Sequence, residues 1–273
     1  MTNEKWVMIT GASTGIGRAC AERLASAGFN VYAGARKKKD LDDLARIPRV
    51  EPVALDVTSA KDVNAAAALV ARRRSGLFGL VNNAGIAVAG PLADIPDDAL
   101  RRQFEVNLFG VHRVTRAMLP FLIESSGRIV MISSDSGFFA APFFGPYCAS
   151  KFALEGYADS LRRELLLCGA KVVILQPGRV ATPIWDKGEE LLARIGRSPF
   201  ADAARKIGEH AIRKGRSDGL PPADIARVVH TALTKKNPHL RYLVAPSTLK
   251  YRIIRLLPGA AVDALVKREL LRD

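Results

Sequence analysis

The sequence has few of the features that direct a chain into a membrane or into a disulfide-bonded fold. No run approaches the roughly 18 consecutive apolar residues of a membrane-spanning helix, and the first ten residues lack the long apolar stretch of a signal peptide. The three cysteines, Cys20, Cys148 and Cys168, are odd in number, and none lies at the paired spacing of a metal site. We therefore expect a soluble, cytoplasmic protein in a reducing compartment, with no metal.

Acidic residues are also scarce relative to basic ones. The chain holds 41 Lys and Arg against 27 Asp and Glu, which gives a net charge of +14. This surplus favours anionic partners such as phosphorylated cofactors, acidic proteins or anionic membranes. No zinc-finger or RNA-recognition signature accompanies it, and short basic clusters such as RKKK (36–39) are typical of solvated surfaces. We expect no nucleic-acid binding.

Short apolar runs alternate with longer helical patterns along the chain. The predicted strands cover residues 6–9, 30–35, 50–55, 79–82, 128–133, 171–176 and 241–245. Helical spacing of apolar residues covers 17–28, 59–74, 99–119 and 147–169. Because most of the strands are almost continuously apolar, we expect helices on both of their faces. The pattern predicts an α/β fold, a single-domain, Rossmann-like, doubly wound parallel sheet of about seven strands over residues 1–273.

A glycine-rich segment, TGASTGIGRA (10–19), joins the first strand to the first helix. Gly11 permits a tight turn, Gly15 permits close approach of the backbone to a phosphate, and Gly17 permits close packing of helix against strand. The helix N-terminus then offers unpaired N–H groups and a positive dipole to a pyrophosphate. Directly after a first strand, this segment predicts a dinucleotide site.

The end of the second predicted strand favours one dinucleotide over the other. Sites specific for NAD usually carry an acidic residue here, which binds the ribose hydroxyls, whereas an arginine accommodates a 2′-phosphate. Arg36 occupies this place and Lys37 follows it, while the nearest acidic residue is Asp40. We therefore predict that NADP(H) is favoured over NAD(H), although a solvated basic turn is the alternative interpretation.

At this point the chain resembles the short-chain dehydrogenase/reductase family, closely over residues 5–185 and more loosely beyond. The motifs that carry the resemblance occur in order: TGASTGIG (10–17), Asp56-Val57, NNAG (82–85), Asn107, ISS (132–134), YCASK (147–151), Pro177-Gly178 and Thr182. We expect a cofactor-binding and catalytic core at 1–180. Residues 183–220 break the alternation with loops and short polar helices, and this segment is predicted to be a substrate cap. Residues 249–273 mix Leu and Ile with Lys and Arg, which predicts a basic, amphipathic C-terminal extension that Pro258-Gly259 interrupts.

The resemblance assigns Asn107, Ser134, Tyr147 and Lys151 as a catalytic tetrad. The chemistry of Tyr147 and Lys151 agrees, because residues four apart share one face of a helix. A tyrosine has an ordinary pKa of about 10, and a neighbouring ammonium group favours the phenolate and lowers that pKa. Tyr147 is therefore expected to donate the proton in carbonyl reduction. By resemblance, Lys151 also binds the nicotinamide ribose, and Asn107 distorts its helix and holds a water molecule.

Further cofactor contacts follow from the resemblance alone. Asp56 and Val57 are expected at the adenine, Asn82 as an anchor of the fourth strand, Gly85 under the adenosine ribose, and Thr182 at the carboxamide. The complete predicted cofactor set is Gly11, Ser13, Thr14, Gly15, Ile16, Gly17, Arg36, Asp56, Val57, Asn83, Ala84, Gly85, Tyr147, Lys151, Pro177, Gly178, Val180 and Thr182.

The substrate side is predicted to be apolar. Residues 135–146, DSGFFAAPFFGP, contain four Phe and no charge after Asp135, and a lining of this kind suits a lipophilic carbonyl or alcohol. We predict Phe139, Phe143, Phe144 and Trp185 as substrate contacts. The phenylalanines alternatively pack the loop or a subunit interface. With the C-terminal extension, the loop is most similar to the retinol- and hydroxysteroid-dehydrogenase-like branch.

Three functions remain open from the sequence. The first is an NADP(H)-dependent oxidoreductase that interconverts a hydrophobic ketone or aldehyde and its alcohol. The second is a 3-oxoacyl thioester reductase, whose acidic carrier protein would suit the basic surface, and the third is a non-catalytic NADP(H)-sensing protein. The resemblance implies a homodimer or homotetramer that pairs helices 99–119 and 147–169. The C-terminal extension is expected to dock on the body or on a partner subunit, with peripheral membrane contact as the alternative.

Overall fold

The sheet consists of seven parallel strands. In the computed structural model, which describes residues 4–73, 76–186, 196 and 198–270, these are β1 Trp6–Ile9, β2 Asn30–Ala35, β3 Val50–Ala54, β4 Gly79–Asn82, β5 Arg128–Ile132, β6 Lys171–Pro177 and β7 Arg241–Val244. Their spatial order is β3-β2-β1-β4-β5-β6-β7. The predicted fold class is confirmed, as are all seven strands, whose ends differ from the prediction by at most one residue.

Helices cover both faces of the sheet. Those that the structure describes are α1 Gly15–Ser26, α2 Lys38–Leu44, α3 Ala60–Arg73, α4 Asp97–Phe104, α5 Gly110–Glu124, α6 Gly145–Glu164, α7 Ala201–Ser217, α8 Pro222–Thr234, α9 Thr248–Leu256 and α10 Gly259–Leu270. Leu24 of α1 and Val229 of α8 belong to the apolar core on one face. Val63 of α3, Met118 of α5 and Leu154 of α6 belong to the core on the other. The strands are apolar on both sides because both sides are buried.

The strand order reverses at β1, and this reversal positions the site. Val7 of β1 pairs with Val31 of β2 on one side and with Gly79 of β4 on the other. The chain therefore leaves β1 and β4 in opposite directions across the sheet, which opens a crevice at their carboxyl ends. The glycine-rich turn follows β1 and the NNAG segment follows β4, so the two predicted cofactor motifs meet at this crevice.

Three details of the predicted helices differ from the structure. The helix predicted over 99–119 is divided into α4 and α5 by a π-helical segment, Glu105–Phe109. The helix predicted over 147–169 is shorter, because α6 ends at Glu164 and a 3₁₀ turn follows at Leu165–Leu167. The expectation of only short helices in the cap was wrong, because α7 has 17 residues. Residues 187–195 and 197 of the cap lie outside the described residues.

The C-terminal extension forms two helices, α9 and α10, and Pro258 lies between them. Pro258 lacks an amide donor and cannot continue α9, so the predicted interruption is found where it was expected. Within the described part of the chain, no helix combines the length and the apolar composition needed to cross a bilayer.

Candidate active site

The glycine-rich turn after β1 has the backbone that a dinucleotide requires. Gly11 and Gly15 adopt positive φ angles of 65° and 56°, a region that L side chains rarely adopt. A Cβ atom on Gly17 would collide with the carbonyl oxygen of Gly11. Helix α1 begins at Gly15, so its first N–H groups face the crevice as an anion site. These three positions fit a pyrophosphate.

Thr10 and Asn83 fasten this turn to the end of β4. The hydroxyl oxygen of Thr10 accepts hydrogen bonds from the backbone N–H groups of Asn83 and Ala84, both at 3.0 Å. The side-chain amide of Asn83 donates to the carbonyl oxygens of Thr10 at 2.9 Å and Gly11 at 3.0 Å. Asn83 is therefore a support of the turn, and its predicted contact with the cofactor stays a prediction.

Arg36 and Asp56 lie together at the ends of β2 and β3. The Arg36 side chain is 64% exposed, and its Nη1 is 3.7 Å from Oδ2 of Asp56. Oδ1 of Asp56 accepts hydrogen bonds from the backbone N–H and the hydroxyl of Thr58, at 2.9 and 2.7 Å. Burial opposes ionisation of Asp56, but the hydrogen bonds from Thr58 and the nearby Arg36 charge hold its pKa below the usual range. Asp56 is thus a carboxylate, and Arg36 remains accessible beside it.

A groove of about 930 Å³ opens beside this pair of residues. Its lining includes Arg36, Asp56, Leu100, Phe104 and Phe109, so helix α4 and the π-helical segment form the opposite wall. Its lining includes two residues of the predicted cofactor set, Arg36 and Asp56, and does not include Tyr147. The predicted adenine residue Val57 is buried behind it, packed against Gly110.

Asn107 lies in the π-helical segment and is buried. Its Oδ1 accepts a hydrogen bond from the backbone N–H of Ile86 at 2.9 Å, and its Nδ2 donates to the Ile86 carbonyl at 3.0 Å and to the Ser150 hydroxyl at 3.1 Å. The predicted helix distortion is therefore found at Asn107. Because Ser150 lies in α6, Asn107 ties the segment after NNAG to the helix that carries Tyr147 and Lys151.

Ser134, Tyr147 and Lys151 converge at the carboxyl end of β5. Ser134 is buried just beyond the strand, and its hydroxyl donates to Oδ1 of Asp135 at 2.8 Å. The buried Lys151 donates from Nζ to the carbonyl oxygen of Ile132 at 2.8 Å. Its Nζ lies 5.6 Å from the centre of the half-buried Tyr147 ring. With Asn107, which reaches α6 through Ser150, the four residues of the tetrad lie in one region, and their catalytic roles stay predictions.

The electrostatics of the Tyr147 and Lys151 pair differ from the prediction. Burial raises the pKa of the Tyr147 hydroxyl, and the hydrogen bond with Ser134, which acts in the opposite direction, does not compensate. Burial lowers the pKa of Lys151 to about 8, although the Glu155 carboxylate opposes this change. The prediction that the lysine lowers the pKa of Tyr147 is therefore wrong for the free protein, where burial raises this pKa and the group that lowers it is Ser134.

The predicted cofactor residues that follow β6 lie next to the glycine-rich turn. A Cβ atom on Gly15 would lie 3.0 Å from Cγ2 of Thr182, so the two predicted cofactor loops are in contact. The backbone N–H of Gly178 donates to the carbonyl of Val244 at 2.9 Å. Thr182 therefore lies against the start of α1.

The predicted substrate residues fall into two groups. The phenylalanines of the loop between Ser134 and Tyr147 are half-buried, and Phe143 has a positive φ of 66°, which is uncommon for a bulky residue and marks local strain. Trp185 packs instead against Gly215 of α7 and donates from its indole nitrogen to the Val180 carbonyl at 2.8 Å. Both sets of substrate contacts stay predictions.

Two buried polar residues near the tetrad, Gln103 and Glu155, were not predicted from the sequence. Gln103 is fully buried; it accepts from the Val88 amide at 2.7 Å and donates to the Ile86 carbonyl at 2.9 Å. Glu155 is buried one turn beyond Lys151 and accepts a hydrogen bond from Gln176 at 2.9 Å. A sequence signal existed for both, since Gln103 precedes Asn107 by four residues and Glu155 follows Lys151 by four, so each shares a helix face with a tetrad residue.

The described residues contain no group of three or more His, Cys, Asp or Glu side chains arranged to hold a metal ion. The three cysteines are all free thiols, and only Cys168 is exposed.

Comparisons with known proteins cover nearly the whole chain. The family model of the short chain dehydrogenases matches residues 5–191. An NADPH-dependent 3-dehydrocapnine reductase from Ornithobacterium rhinotracheale is 33% identical over 282 residues, with 97% of each chain covered. Retinol dehydrogenase 5 from Homo sapiens is 35% identical over 278 residues, which cover 96% of this chain and 87% of that protein.

Solved structures show the same architecture. A short-chain dehydrogenase from Streptomyces avermitilis has a TM-score of 0.81 at 30% identity, covering 98% of this chain and 96% of its own. A short-chain dehydrogenase/reductase from Burkholderia phymatum in complex with NAD has a TM-score of 0.76 at 25% identity, covering 99% of this chain and 96% of its own.

Proposed function

The chain belongs to the short-chain dehydrogenase family, whose members are oxidoreductases acting on CH–OH groups, and from this we propose that it reduces a hydrophobic ketone or aldehyde with NADPH. The reverse reaction, oxidation of the corresponding alcohol with NADP⁺, uses the same groups. One observation carries the proposal. Ser134, Tyr147 and Lys151 meet at the carboxyl end of β5, and the glycine-rich turn leaves β1 at the same edge of the parallel sheet.

Tyr147 is the proton donor in this proposal. When bound, NADPH supplies the hydride to the carbonyl carbon, so the reaction also needs one proton at the carbonyl oxygen. The raised pKa of Tyr147 keeps its hydroxyl protonated near neutral pH. Its phenol therefore holds the proton at the place where it is needed, and takes a proton back when the alcohol is oxidised.

In this proposal Ser134 acts on the carbonyl oxygen of the substrate, and Lys151 binds the cofactor. The Ser134 hydroxyl donates to Asp135 in the free protein, and we propose that it turns to the substrate oxygen when a carbonyl binds, where it polarises the C=O bond. Lys151 uses one N–H on the Ile132 carbonyl. Its two further N–H groups are the ones proposed to bind the ribose hydroxyls.

Arg36 is the basis for proposing NADP(H) over NAD(H). Its accessible guanidinium lies beside Asp56, where it is suited to a bidentate contact with a 2′-phosphate. One relative is named as NADPH-dependent, whereas one structural neighbour was solved with NAD. Arg36 therefore supports the choice more directly than the relatives do.

The phenylalanine-rich loop supports a hydrophobic substrate. Phe138, Phe139, Phe143 and Phe144 are all half-buried in the loop that joins Ser134 to Tyr147, and this loop is proposed to line the path of the substrate. The similarity to a retinol dehydrogenase agrees with an apolar substrate. The predicted contact with Trp185 has less support, since the Trp185 indole is already packed and hydrogen-bonded within the protein.

We also propose a homo-oligomer. Ile123 of α5 is 36% exposed, and Phe152 of α6 is 46% exposed. Large exposed apolar side chains on these helices support pairing of α5 and α6 between subunits, because association would remove them from water. The cytoplasmic location stays a prediction.

The experiment that tests the function is a rate survey. Oxidation of NADPH and NADH is followed with long apolar and short polar carbonyls, and with the matching alcohols in the reverse direction. Turnover with NADPH and long apolar carbonyls supports the proposal. NADPH binding without turnover of any carbonyl or alcohol contradicts it and favours the sensing role, whereas a preference for thioesters on a carrier protein favours the acyl reductase.

A further inference from the structure

We propose that Arg255 of helix α9 is a positioning residue for substrate binding, which holds the phenylalanine-rich loop against the helix that carries Tyr147 and Lys151. The inference rests on the proposed function, because its main readout is carbonyl reduction. It makes α9, which was predicted only as part of an extension docked on the body or on a partner subunit, one side of the substrate site.

The first contact of Arg255 is with the loop. Its guanidinium carbon lies 3.7 Å from the centre of the Phe138 ring, a distance typical of a cation–π interaction. Tyr251, one turn earlier on α9, meets the same ring edge-on, with centres 6.1 Å apart and an interplanar angle of 86°. Two residues of α9, four positions apart, therefore hold Phe138 between them.

Phe138 lies directly beside the tetrad. It follows the 3₁₀ turn Asp135–Gly137 that begins after Ser134. The backbone N–H groups of Phe138 and Phe139 both donate to the Asp135 carbonyl, at 3.2 and 3.1 Å. Burial raises the pKa of Tyr251, and the adjacent Asp135 carboxylate adds to this effect. Phe138 is therefore the point at which the phenylalanine-rich loop leaves this turn, and its displacement would move the loop that follows it.

The second contact of Arg255 is with the core of the protein. Its Nη2 donates to Oε1 of Gln176 at 2.9 Å, and Nε2 of Gln176 donates to Oε1 of Glu155 at 2.9 Å. Gln176 and Glu155 are buried. Because Glu155 lies in α6, three side chains link α9 through β6 to the helix that carries Tyr147 and Lys151.

Arg241 on β7 supplies the positive charge that pairs with the Glu155 carboxylate. Its Nε donates to Oε2 of Glu155 at 2.9 Å, and its Nη2 pairs with Asp159 at 2.9 Å. Two carboxylates and two guanidinium groups therefore meet between α6, β7 and α9. A buried carboxylate whose two oxygens both accept hydrogen bonds, as those of Glu155 do, is costly to disturb, which gives Arg255 a fixed point of attachment.

An arginine is suited to this double role for a geometric reason. The flat face of a guanidinium stacks on an aromatic ring while its edge donates hydrogen bonds. Arg255 uses the face on Phe138 and the edge on Gln176. Methionine at this position keeps most of the length of the side chain but removes the charge and the donors.

The test compares Arg255→Met with Arg227→Met, a control that removes an exposed arginine of α8 paired with Asp224. We expect Arg255→Met to raise KM for a long apolar carbonyl about tenfold, with little change in kcat, in the Kd of NADPH, or in kcat/KM for a short polar carbonyl. Arg227→Met is expected to match the unmodified protein. An equal loss for both carbonyls, or no loss for either, overturns the proposal.

A double-variant cycle tests whether Phe138 is the partner. Phe138→Leu should raise KM for the long carbonyl, and adding Arg255→Met should raise it little further, because both changes remove one contact. Additive losses overturn the assignment.

Hydrogen exchange provides a readout that does not depend on turnover. Arg255→Met should accelerate exchange of the amides at 135–144 and leave those of α5 unchanged. If the unmodified protein reduces no carbonyl, the proposed function fails, but the exchange result still shows whether Arg255 holds the phenylalanine-rich loop. Unchanged exchange in the loop overturns the proposed role of Arg255.

Discussion

Lys151 and Glu155 lie one turn apart on the same face of helix α6, and both side chains are buried. The carboxylate opposes the effect of burial on the lysine, whose pKa nevertheless falls to about 8. Lys151 therefore loses its charge near pH 8, and the Glu155 carboxylate raises the pH at which this happens.

The first prediction concerns the pH dependence of reduction. Below about pH 8 the buried Lys151 is an ammonium ion, and above it the charge is lost, so kcat/KM should fall as the pH rises through this value. Tyr147 does not cause the fall, because its own pKa is raised and it keeps its proton. Glu155→Gln removes the opposing carboxylate and should move the fall to lower pH.

The control for this prediction is Glu164→Gln, on the same helix but exposed and bonded to Ser160. It should leave the pH profile of kcat/KM unchanged. A Glu155→Gln profile that coincides with that of the unmodified protein would show that the two charges are not coupled.

The second prediction concerns the proton donor. Tyr147→Phe removes only a hydroxyl, so NADPH binding, measured by fluorescence titration, should be retained while turnover falls by about 10²- to 10⁴-fold. Tyr157→Phe is the matched control, since Tyr157 also lies in α6 but faces His112, 3.3 Å from its hydroxyl. Near-normal rates in Tyr147→Phe would end the proposed mechanism.

The third prediction concerns cofactor choice. Arg36→Asp replaces a cation by an anion beside Asp56, which should repel a 2′-phosphate and shift the ratio of kcat/KM for NADPH over NADH about tenfold or more toward NADH. Arg46→Asp, at an exposed arginine paired with Asp43, is the control. An unchanged ratio in Arg36→Asp would mean that Arg36 does not contact the cofactor.

The fourth prediction concerns the glycine-rich turn. Gly17→Ala places a methyl group against the Gly11 carbonyl, so the Kd of NADPH should rise about tenfold or more and Tm should fall. Gly156→Ala is the control, because nothing lies within 4 Å of its Cβ position on α6. That variant should gain about 0.5–1 kcal/mol in the free energy of unfolding. Normal NADPH affinity in Gly17→Ala would contradict the assignment of the turn.

Local patterns were sufficient to predict the sheet. The strands were readable because each is a short, almost continuously apolar run, and the period of the intervening segments identified the helices. The distortion at Asn107 came only from the resemblance, since the apolar spacing over 99–119 continues through the π-helical segment without a signal.

The network around Arg255 shows the limit of sequence reasoning. Arg255 is separated by 79 residues from Gln176, and Arg241 by 86 residues from Glu155. In the sequence Glu155 is one more charged residue of a long helix. Only the packing of α6, β6, β7 and α9 makes it a buried carboxylate with specific partners.

The sequence by itself determined the fold class and predicted the dinucleotide turn and the tetrad, because each depends on residues that are close in the chain or on an ordered set of motifs. Only the tertiary structure decided the pKa shifts of the site and the contacts of the C-terminal helix. The physical reason is that pKa values depend on burial and on charges brought together by folding. Neither quantity is a property of a local stretch of sequence.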